Sequence, residues 1–447
     1  MSRSRPARDT DARAAAAAFL SFLVPGLGQG YNGQWTLAIL LVTPVLLLIG
    51  LGVAAVAGNG PSVVTRLLDT RVLVALIVLD VALLGWRLVA ILQAHAARHR
   101  LSLRSWSGAV TGLLVLATIG MHALPALYAT KAIDTLGSVS LEGGGALFDE
   151  HQGRDIEIGV PSDQPEVGLG QRVTVLLVGV DFAPGRDHHL TDTMLVATLD
   201  PDTGDSAMIS IPRDLYGVPL GDGRVYNAKL NSLLSTASAD PVTYPLGGPA
   251  TLKAAIGELL GTRIHYFAAI DIEGLREVID TIGGVDVTVE RAIDDPRYPD
   301  TLTGQRGLYI PAGRQHMDGA TALGYARSRM GQGESDFTRA ERQQQLLAAI
   351  AAKLTAGNLI VTLPGLLDAV KRNVATDIPS DRIPAIAGGI QEADLSDIER
   401  AVLTPDDGYV SVEAFSAAGY ILHPNLDAIR ALGDRIFGTS TAGNTDS

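Results

Sequence analysis

The chain contains no cysteine among its 447 residues, and only 5% of its residues are aromatic. The absence of cysteine excludes disulfides, cysteine-ligated zinc, iron–sulfur clusters and thiol catalysis. Few aromatics and a formal net charge of −13 argue against a nucleic-acid partner. The sequence also lacks a Walker motif, an HExxH zinc motif and the residue order of a serine hydrolase. Whatever chemistry the chain performs must use other side chains.

Charge and hydrophobicity are divided unevenly along the chain. The first 135 residues carry eleven Lys and Arg against five Asp and Glu, so the remaining residues carry 24 against 43 and a net charge of −19. Hydrophobic residues make up 47% of the sequence, which indicates a membrane component. Three apolar runs reach the length of about 20 residues that a bilayer requires. They are Trp35–Ala57, Val72–Gln93 and Ser107–Tyr128.

Arginines predict the orientation of these spans, because cytoplasmic loops carry an excess of Lys and Arg. The arginine-rich N-terminal arm and the loop Arg98–Arg104 are both predicted to lie inside. The chain is then a multi-pass protein of the cell membrane whose C-terminal domain, beyond Ala129, is extracytoplasmic. The short apolar run Ala14–Val24 is not expected to span, and the glycine-rich segment Pro25–Gly33 is interpreted as interfacial or re-entrant.

Two charged residues, Asp80 and Arg87, lie seven positions apart inside the second span. Intramembrane charges are functional candidates by default. The favoured interpretation here is structural. The two residues are expected to pair with each other or to contact a neighbouring span and fix the packing of the helices.

The sequence predicts four regions. A membrane anchor over 1–131 is followed by a linker over 132–171, a globular domain over 172–437 and a disordered tail over 438–447. Within the globular domain, apolar runs predicted to be strands, such as Val173–Val180 and Val285–Val289, alternate with segments of helical spacing. This alternation predicts an α/β fold, a three-layer α/β/α sandwich with a mixed central sheet, preceded by an α-helical membrane anchor.

Four arginines fall within sixteen positions of this acidic domain. They are Arg327, Arg329, Arg339 and Arg342. A helix with Ser335 or Asp336 as its N-cap would place Arg339, Arg342 and Gln343 on one face. A solvated helix face is the alternative, and it is the usual outcome for a charge run. Converging guanidiniums repel one another unless an anion is present, so we favour a phosphate or pyrophosphate site.

Carboxylates at neighbouring strand ends complete the candidate site. Asp181 ends the first predicted strand and Asp192 opens the second, at the edge where open α/β sheets bind ligands. Such a pair suits Mg²⁺, although two turn-capping aspartates would explain the same spacing. Arg213, Lys229 and Asn231 follow the third strand and add positive and polar groups to the same rim.

Seven ordered motifs in this domain resemble those of the LytR-CpsA-Psr (LCP) family. They are GVD (Gly179–Asp181), TDTM (Thr191–Met194), SIPRD (Ser210–Asp214), KLN (Lys229–Asn231), GGVDVTV (Gly283–Val289), DGATALGYARSR (Asp318–Arg329) and DFTRAERQQQ (Asp336–Gln345). The resemblance implies an LCP-like fold and a phosphotransferase that attaches a glycopolymer from a polyprenyl-pyrophosphate carrier to peptidoglycan by a phosphodiester bond. The implied partners are the lipid-linked glycan donor, the peptidoglycan acceptor and the membrane.

The resemblance also implies roles for the residues that match the family's motifs. Asp181 and Asp192 would bind magnesium, so the enzyme is expected to be magnesium-dependent. The catalytic set would be Asp181, Asp192, Arg213, Arg327, Arg329, Asp336 and Arg339. The substrate-binding set would be Lys229, Asn231, Arg342 and Gln343.

Some positions depart from the family's pattern. Ala183 and Leu190 stand where the family usually has arginine, with Arg186 as the candidate substitute, and Leu215 stands where a hydroxyl residue commonly follows Pro-Arg-Asp. Two alternatives to the transferase therefore stay open. One is a polyprenyl-pyrophosphate hydrolase, and the other is a non-catalytic polyprenyl-phosphate-binding scaffold of the cell wall.

Overall fold

The computed structural model describes residues 5–59, 69–100, 102, 104–139, 146–147, 156–157, 172–181, 190–200, 204–299, 306–329, 335–355, 359–379, 382–393 and 398–437. The chain divides into two compact units, Met1–Asp134 and Thr135–Ser447. Most of the predicted linker and all of the predicted tail lie outside the described residues. The four-region division therefore stays a prediction.

Long apolar helices dominate the first unit. Its described helices are α1 (Arg5–Leu23), α2 (Leu27–Tyr31), α3 (Trp35–Asn59), α4 (Thr70–Ala96) and α5 (Trp106–Val139), the last of which continues into the second unit. Within the described residues, three stretches are long and apolar enough to cross a membrane, namely Trp35–Ala54, Thr70–Ala96 and Trp106–Leu136. The segment interpreted as interfacial or re-entrant contains the short helix α2.

Asp80 and Arg87 each contact a different helix. Asp80 Oδ1 lies 2.7 Å from Nδ1 of His122 on α5, and Arg87 Nη2 donates to the carbonyl of Phe22 on α1 at 2.6 Å. The guanidinium also lies 5.9 Å from the centre of the Phe22 ring. Of the two expected arrangements, contact with neighbouring helices is the one found.

The second unit is built on strands and shorter helices. Its described strands are β1 (Ala146–Leu147), β2 (Ile156–Glu157), β3 (Val173–Asp181), β4 (Leu190–Leu199), β5 (Ser206–Ser210), β6 (Tyr216–Pro219), β7 (Val225–Lys229), β8 (Tyr266–Asp271), β9 (Val285–Val289), β10 (Ile293–Pro299), β11 (Arg306–Ile310), β12 (Gly313–Met317), β13 (Val374–Thr376), β14 (Glu399–Val402), β15 (Val410–Ser416) and β16 (Gly419–Pro424). Its described helices are α6 (Leu233–Ala239), α7 (Gly248–Leu260), α8 (Ile272–Thr281), α9 (Gly319–Arg327), α10 (Asp336–Thr355), α11 (Leu359–Asn373), α12 (Ile383–Glu392) and α13 (Leu426–Phe437).

A six-stranded mixed sheet forms the centre of this unit, with the spatial order β13-β8-β3-β4-β5-β14. The pairs β3–β8 and β5–β14 are parallel, and the other three pairs are antiparallel. Five two-stranded ribbons lie outside it, namely β1–β2, β6–β7, β9–β12, β10–β11 and β15–β16. The long connections from β5 to β8, from β8 to β13 and from β13 to β14 carry the helices that cover both faces.

Alternation of side chains along the strands gives the sheet two apolar faces. Leu176, Val196 and Phe267 are cross-strand neighbours on the face that packs against α6, α7 and α13. Leu177 and its partner Leu195 point to the opposite face, which α8, α9 and α10 cover. Each fully buried large apolar side chain contributes about 1.5–3 kcal/mol to this packing. The three-layer α/β/α sandwich with a mixed sheet is therefore confirmed.

Candidate functional site

The site begins where β3 ends and β4 starts. The register pairs Gly179 with Thr193 and Val180 with Thr191, so Asp192 has no partner and forms a β-bulge. Bulges frequently re-aim a side chain beside an active site. A Cβ on Gly179 would lie 3.1 Å from Cβ of Thr193, which explains why glycine suits this position. Its neighbour Asp181 ends β3 at the same edge, and only the backbone of Asp181 is described.

Arg213, directly after β5, holds the Asp192 carboxylate. Its Nη1 donates to Asp192 Oδ1 at 2.5 Å, and its Nε lies 3.6 Å from Asp214 Oδ2. Lys229 Nζ donates to the other Asp214 oxygen at 2.8 Å. Burial alone would lower the pKa of Arg213, but the carboxylates of Asp192, Asp214 and Asp336 outweigh it and raise that pKa. Arg213 is therefore a permanent cation.

The N-terminus of α10 supplies the second half of the site. Ser335 caps the helix as predicted, because its Oγ accepts from the Thr338 amide at 3.1 Å and its own amide donates to Thr338 Oγ1 at 2.8 Å. Asp336, in the first turn, lies 3.5 Å from Arg329 Nη1 and 3.2 Å from Arg339 Nη1. One carboxylate thus bridges two guanidiniums.

Arg339 is a buried cation that shares the Asp336 carboxylate with Arg329. It is only 8% exposed. Burial lowers its pKa, and the positive charges of Arg213 and Arg329 lower it further against the attraction of Asp336. The Nε atoms of Arg213 and Arg339 are both buried, and no described residue accepts their hydrogens. Where Arg213, Arg329 and Arg339 line the cavity, an anionic ligand would relieve the repulsion between their guanidiniums.

A cavity of about 450 Å³ leads away from these cations, between the central sheet and α8, α9 and α10. One end is charged and polar. It is lined by Asp192, Arg213, Arg327, Arg329, Arg339 and Gln343. The remainder is largely apolar, with walls that include Leu177, Leu195, Ile270, Val278, Leu346 and Ile350. The arrangement suits a ligand with an anionic head and a long apolar tail.

Three predicted residues lie behind the site instead of at the cavity. Arg342 is 7% exposed, donates through Nη2 to the Ser328 carbonyl at 2.5 Å and lies 5.5 Å from the centre of the Tyr325 ring. Lys229 pairs with Asp214, and the Asn231 amide donates to the Arg213 carbonyl at 3.1 Å. These contacts position Arg213 and the segment before α10.

A second, smaller cavity of about 40 Å³ adjoins the first and shares Asp192, Thr193, Arg213, Arg339 and Gln343 with it. Its further lining includes Asp214, Asp336 and, from the β15–β16 hairpin, Tyr420 and Leu422. The sequence analysis did not identify this hairpin as part of the site. Its strands are short, and only the tertiary contact with Asp214 reveals it.

The described residues contain no group of three or more His, Asp or Glu placed to hold a metal ion. A magnesium ion commonly takes only one or two protein carboxylates and completes its coordination with phosphates and water. Asp192 and the backbone position of Asp181 at the same strand edge fit such a site. The loop that contains Ala183 and Arg186 lies outside the described residues, whereas Leu190 is described and lines the larger cavity.

Comparisons with known proteins identify relatives of this domain. The model of the LytR_cpsA_psr family matches residues 153–423, more than half of the chain. The polyisoprenyl-teichoic acid–peptidoglycan teichoic acid transferases TagU of Bacillus cereus (strain AH820) and TagV of Bacillus subtilis (strain 168) are 28% and 29% identical to it. The alignments cover 49% and 46% of this chain, and 64% and 49% of the relatives. The chain therefore spans less than two thirds of the curated relatives it matches.

Solved structures similar to the domain include the crystal structure of B. subtilis TagV, which is 25% identical with a TM-score of 0.47. That match covers 60% of this chain and 98% of the TagV chain. Protein gbs0355 from Streptococcus agalactiae is 24% identical with a TM-score of 0.48, over 60% of this chain and 86% of that one.

Proposed function

This chain belongs to the LytR_cpsA_psr family, and we propose that it is a phosphotransferase that attaches a glycopolymer from a polyprenyl-pyrophosphate carrier to peptidoglycan by a phosphodiester bond. The names of its relatives, which specify a polyisoprenyl-linked teichoic acid and peptidoglycan, support this class of donor and acceptor. The observation that carries the proposal is the largely apolar cavity that ends in a cluster of buried cations.

The cavity accounts for both parts of such a donor. Its volume of about 450 Å³ lies within the usual range of roughly 300–1,000 Å³ for ligand pockets, and each CH₂ group of a polyprenyl chain buried there contributes about 0.8 kcal/mol. At the charged end, Arg213, Arg329 and Arg339 line the cavity and offer guanidinium donors to pyrophosphate oxygens. A pyrophosphate also relieves the repulsion between these guanidiniums.

The reaction is a displacement at the phosphorus next to the glycan. The oxygen of a sugar hydroxyl on peptidoglycan forms a new bond to this phosphorus, the bond from phosphorus to the bridging oxygen breaks, and polyprenyl phosphate leaves with that oxygen. Asp336 accepts the hydroxyl proton and later releases it to water. Arg213, Arg329 and Arg339 stabilise charge on the phosphate oxygens, which is the main requirement of phosphoryl transfer.

Magnesium is part of this proposal. Asp181 and Asp192 would hold the ion, which would neutralise charge on the phosphates of the donor. Because Asp192 is already bound by Arg213, the guanidinium orients the carboxylate whether or not the ion is present. Titration of the purified protein with Mg²⁺ in the wild type and in Asp192→Asn, followed by calorimetry, tests the assignment. Equal binding of the ion by both proteins would show that Asp192 does not hold the ion.

The anchor is proposed to cross the membrane three times, with the catalytic domain outside. Three apolar helices and the arginines of the Arg98–Arg104 loop support this topology. The absence of cysteine allows a direct test, because any single introduced cysteine is the only one present. In intact cells, an impermeant maleimide should label Val242→Cys, which replaces a 90% exposed side chain, and should not label Ala97→Cys until the membrane is opened. Labelling in the reverse order would invert the topology.

Transfer itself is tested with the full-length protein in detergent, supplied with a polyprenyl-pyrophosphate-linked glycan, Mg²⁺ and peptidoglycan strands. Arg213→Ala should lower the rate by about 10²–10³-fold, the usual effect of removing one preorganised donor. Arg314→Ala, on the exposed β12 strand, is the matched control and should retain the wild-type rate. Equal rates in Arg213→Ala and the control would contradict the site.

The same assay separates the two alternatives. A hydrolase would release the glycan phosphate at the same rate with and without peptidoglycan. A lipid-binding scaffold would retain the donor without turnover. The described structure gives the scaffold one point of support, because the apolar Leu190 lines the cavity at a position where the family usually has arginine. Leu190→Arg should therefore raise the transfer rate if the transferase is correct.

A further inference from the structure

Two aromatic side chains project from the β15–β16 hairpin beside the site. Phe415 on β15 is 98% exposed and Tyr420 on β16 is 42% exposed, whereas Leu422, also on β16, is only 2% exposed. Large side chains that are exposed together beside a reaction centre mark a candidate binding surface. The proposed transfer reaction assigns no role to either residue.

The hairpin is fixed to the wall of the site. The Leu422 amide donates to the Asp214 carbonyl at 3.0 Å, and a parallel bridge joins Leu422 to Leu215. The rings of His423 and Tyr216 meet edge to face with their centres 6.3 Å apart. These contacts tie the base of the hairpin to the segment that carries Arg213, so a ligand on the hairpin is held at a defined distance from the cations.

A register shift places the two aromatics near each other. Glu413 pairs with Ile421 and Ser416 pairs with Gly419, so Ala414 and Phe415 together lie opposite Tyr420. This bulge disrupts the regular alternation of side chains at the tip of the hairpin. Tyr420 lines the smaller cavity together with Asp336 and Asp214. Burial first, and then the negative charges of Asp214 and Asp336, raise the pKa of Tyr420, so its phenol stays protonated and can donate.

The two cavities share the cation cluster and extend from it to different elements. Asp192, Arg213 and Arg339 line both, and the larger cavity continues to α8 and α9 whereas the smaller one continues to the β15–β16 hairpin. If the leaving polyprenyl phosphate occupies the larger cavity, the attacking oxygen approaches the phosphorus from the opposite side, because the two oxygens of a phosphoryl transfer are roughly in line. The smaller cavity and the hairpin, which adjoin the cations outside the larger cavity, offer such an approach.

We propose that Tyr420 and Phe415 form the acceptor subsite, where the sugar rings of a peptidoglycan strand lie against the aromatic side chains and present a hydroxyl to Asp336. The proposal rests on the proposed transferase function. The C–H face of a pyranose is apolar and packs on an aromatic ring, while the Tyr420 phenol donates to a sugar oxygen. The sugar rings themselves carry no charge, so the carboxylates of Asp214 and Asp336 do not repel them as they would repel an anionic group.

Binding and transfer are measured separately on the full-length protein in detergent. Soluble peptidoglycan strands should bind the wild type, and the double variant Phe415→Ala/Tyr420→Ala should weaken that binding by about ten-fold or more, because it removes both aromatic packing surfaces. Affinity for polyprenyl pyrophosphate should not change. The acceptor KM should rise while the donor KM stays constant, and Tyr420→Trp should restore part of the acceptor affinity.

Tyr309→Ala is the matched control, because Tyr309 is 68% exposed and lies on β11 outside both cavities. Unchanged strand binding in the double variant would overturn the proposal, as would a rise in the donor KM, which would assign the hairpin to the donor glycan. A change in oligomeric state on sedimentation would assign it to contact with a second copy. If the wild type binds strands through the hairpin without transferring glycan to them, the transferase function fails and the subsite stands. If the wild type does not bind strands, the subsite fails.

Discussion

Buried charge occurs at both ends of the central sheet, and the two ends differ in how it is neutralised. Where β3 and β8 begin, Lys253 and Asp377 are 5% and 6% exposed and pair with each other. Asp377 also accepts the Phe267 amide at 2.6 Å, and Lys253 donates to the His265 carbonyl at 3.3 Å. This buried pair consists of one cation and one anion, each with further hydrogen bonds.

The opposite end, where β3 finishes, contains more cations than carboxylates. Its described ionised side chains are Asp192, Arg213, Asp214, Lys229, Arg327, Arg329, Asp336 and Arg339. Five of these are positive and three are negative, with Asp181 at the same strand edge as a fourth acidic residue, and the Nε atoms of Arg213 and Arg339 are buried without an acceptor among the described residues. Removing one member of a balanced buried pair leaves an uncompensated charge in the fold, whereas an excess of cations at a cavity favours an anionic ligand. The Lys253–Asp377 pair at one end is therefore structural, whereas the excess of cations at the other end indicates a binding site for an anion.

Breaking the balanced pair should have the largest effect on stability. Lys253→Met leaves the Asp377 carboxylate buried without its cation, which costs about 3–5 kcal/mol. For a domain of this size the midpoint of thermal unfolding should fall by roughly 5–15 °C. Lys253→Met/Asp377→Asn should recover part of the loss, because no isolated charge remains. A single variant as stable as the wild type would show that the pair contributes nothing.

Removing a cation from the unbalanced end, the one that contains Arg213 and Arg339, should reduce transfer without reducing stability. Arg339→Met should reduce transfer by about 10²–10³-fold, equivalent to about 2.7–4 kcal/mol of transition-state stabilisation. Its thermal midpoint should stay equal to or above that of the wild type, because a buried guanidinium that faces two others is removed. A large loss of stability in this variant would assign Arg339 to the fold.

The balanced end should also respond to pH through His265. Burial, followed by the charges of Arg263 and Lys253, lowers the pKa of His265 from 6.5 to about 4. Between these values the unfolded chain binds a proton that the folded chain does not, so stability falls as pH falls from about 6.5 to 4. After allowance for partial exposure the loss is about 1–2 kcal/mol. In unfolding experiments, His265→Asn should show a shallower pH dependence than the wild type across this window. An identical slope would contradict the assignment.

The smallest effect is expected at the start of α10. Ser335→Ala removes the side chain that accepts the Thr338 amide, which costs about 1 kcal/mol. Because α10 carries Asp336 and Arg339, transfer should decrease by several fold with little change in the thermal midpoint. Ser335→Asp retains a capping oxygen and should restore the rate. Failure of this variant to rescue transfer would mean that the cap does not position the site.

The elements that the sequence predicts well are those with a strong local pattern. The run at Val173–Val180 became the central strand β3, the segment Val285–Val289 became β9 with the predicted bounds, and Ser335 caps α10. The arginines were recognised through motif order, and four of them meet at one cavity. The local pattern is sufficient at these places because residues close in sequence determine these elements.

The remaining features depend on contacts between residues distant in sequence. Arg342 was predicted to share a face with Arg339 and Gln343, but residues three and four positions on from Arg339 diverge by about 100° around a helix, and Arg342 turns to Tyr325 instead. Leu346, interpreted as part of a core, does pack in one and also lines the cavity. The contribution of Tyr420 required the fold that brings its hairpin to Asp214.

The central claim is that the unbalanced end of the sheet recognises a pyrophosphate attached to an apolar chain. The most direct test compares the affinity of the full-length protein for polyprenyl pyrophosphate with that for polyprenol of the same length, in the wild type and in Arg213→Gln/Arg339→Gln. The wild type should prefer the pyrophosphate by about 100-fold or more, as two charge-assisted hydrogen bonds of about 1.5–3 kcal/mol each imply, and the double variant should lose that preference while retaining its affinity for polyprenol. Equal affinity of the wild type for the two lipids, or an unchanged preference in the double variant, would contradict the claim.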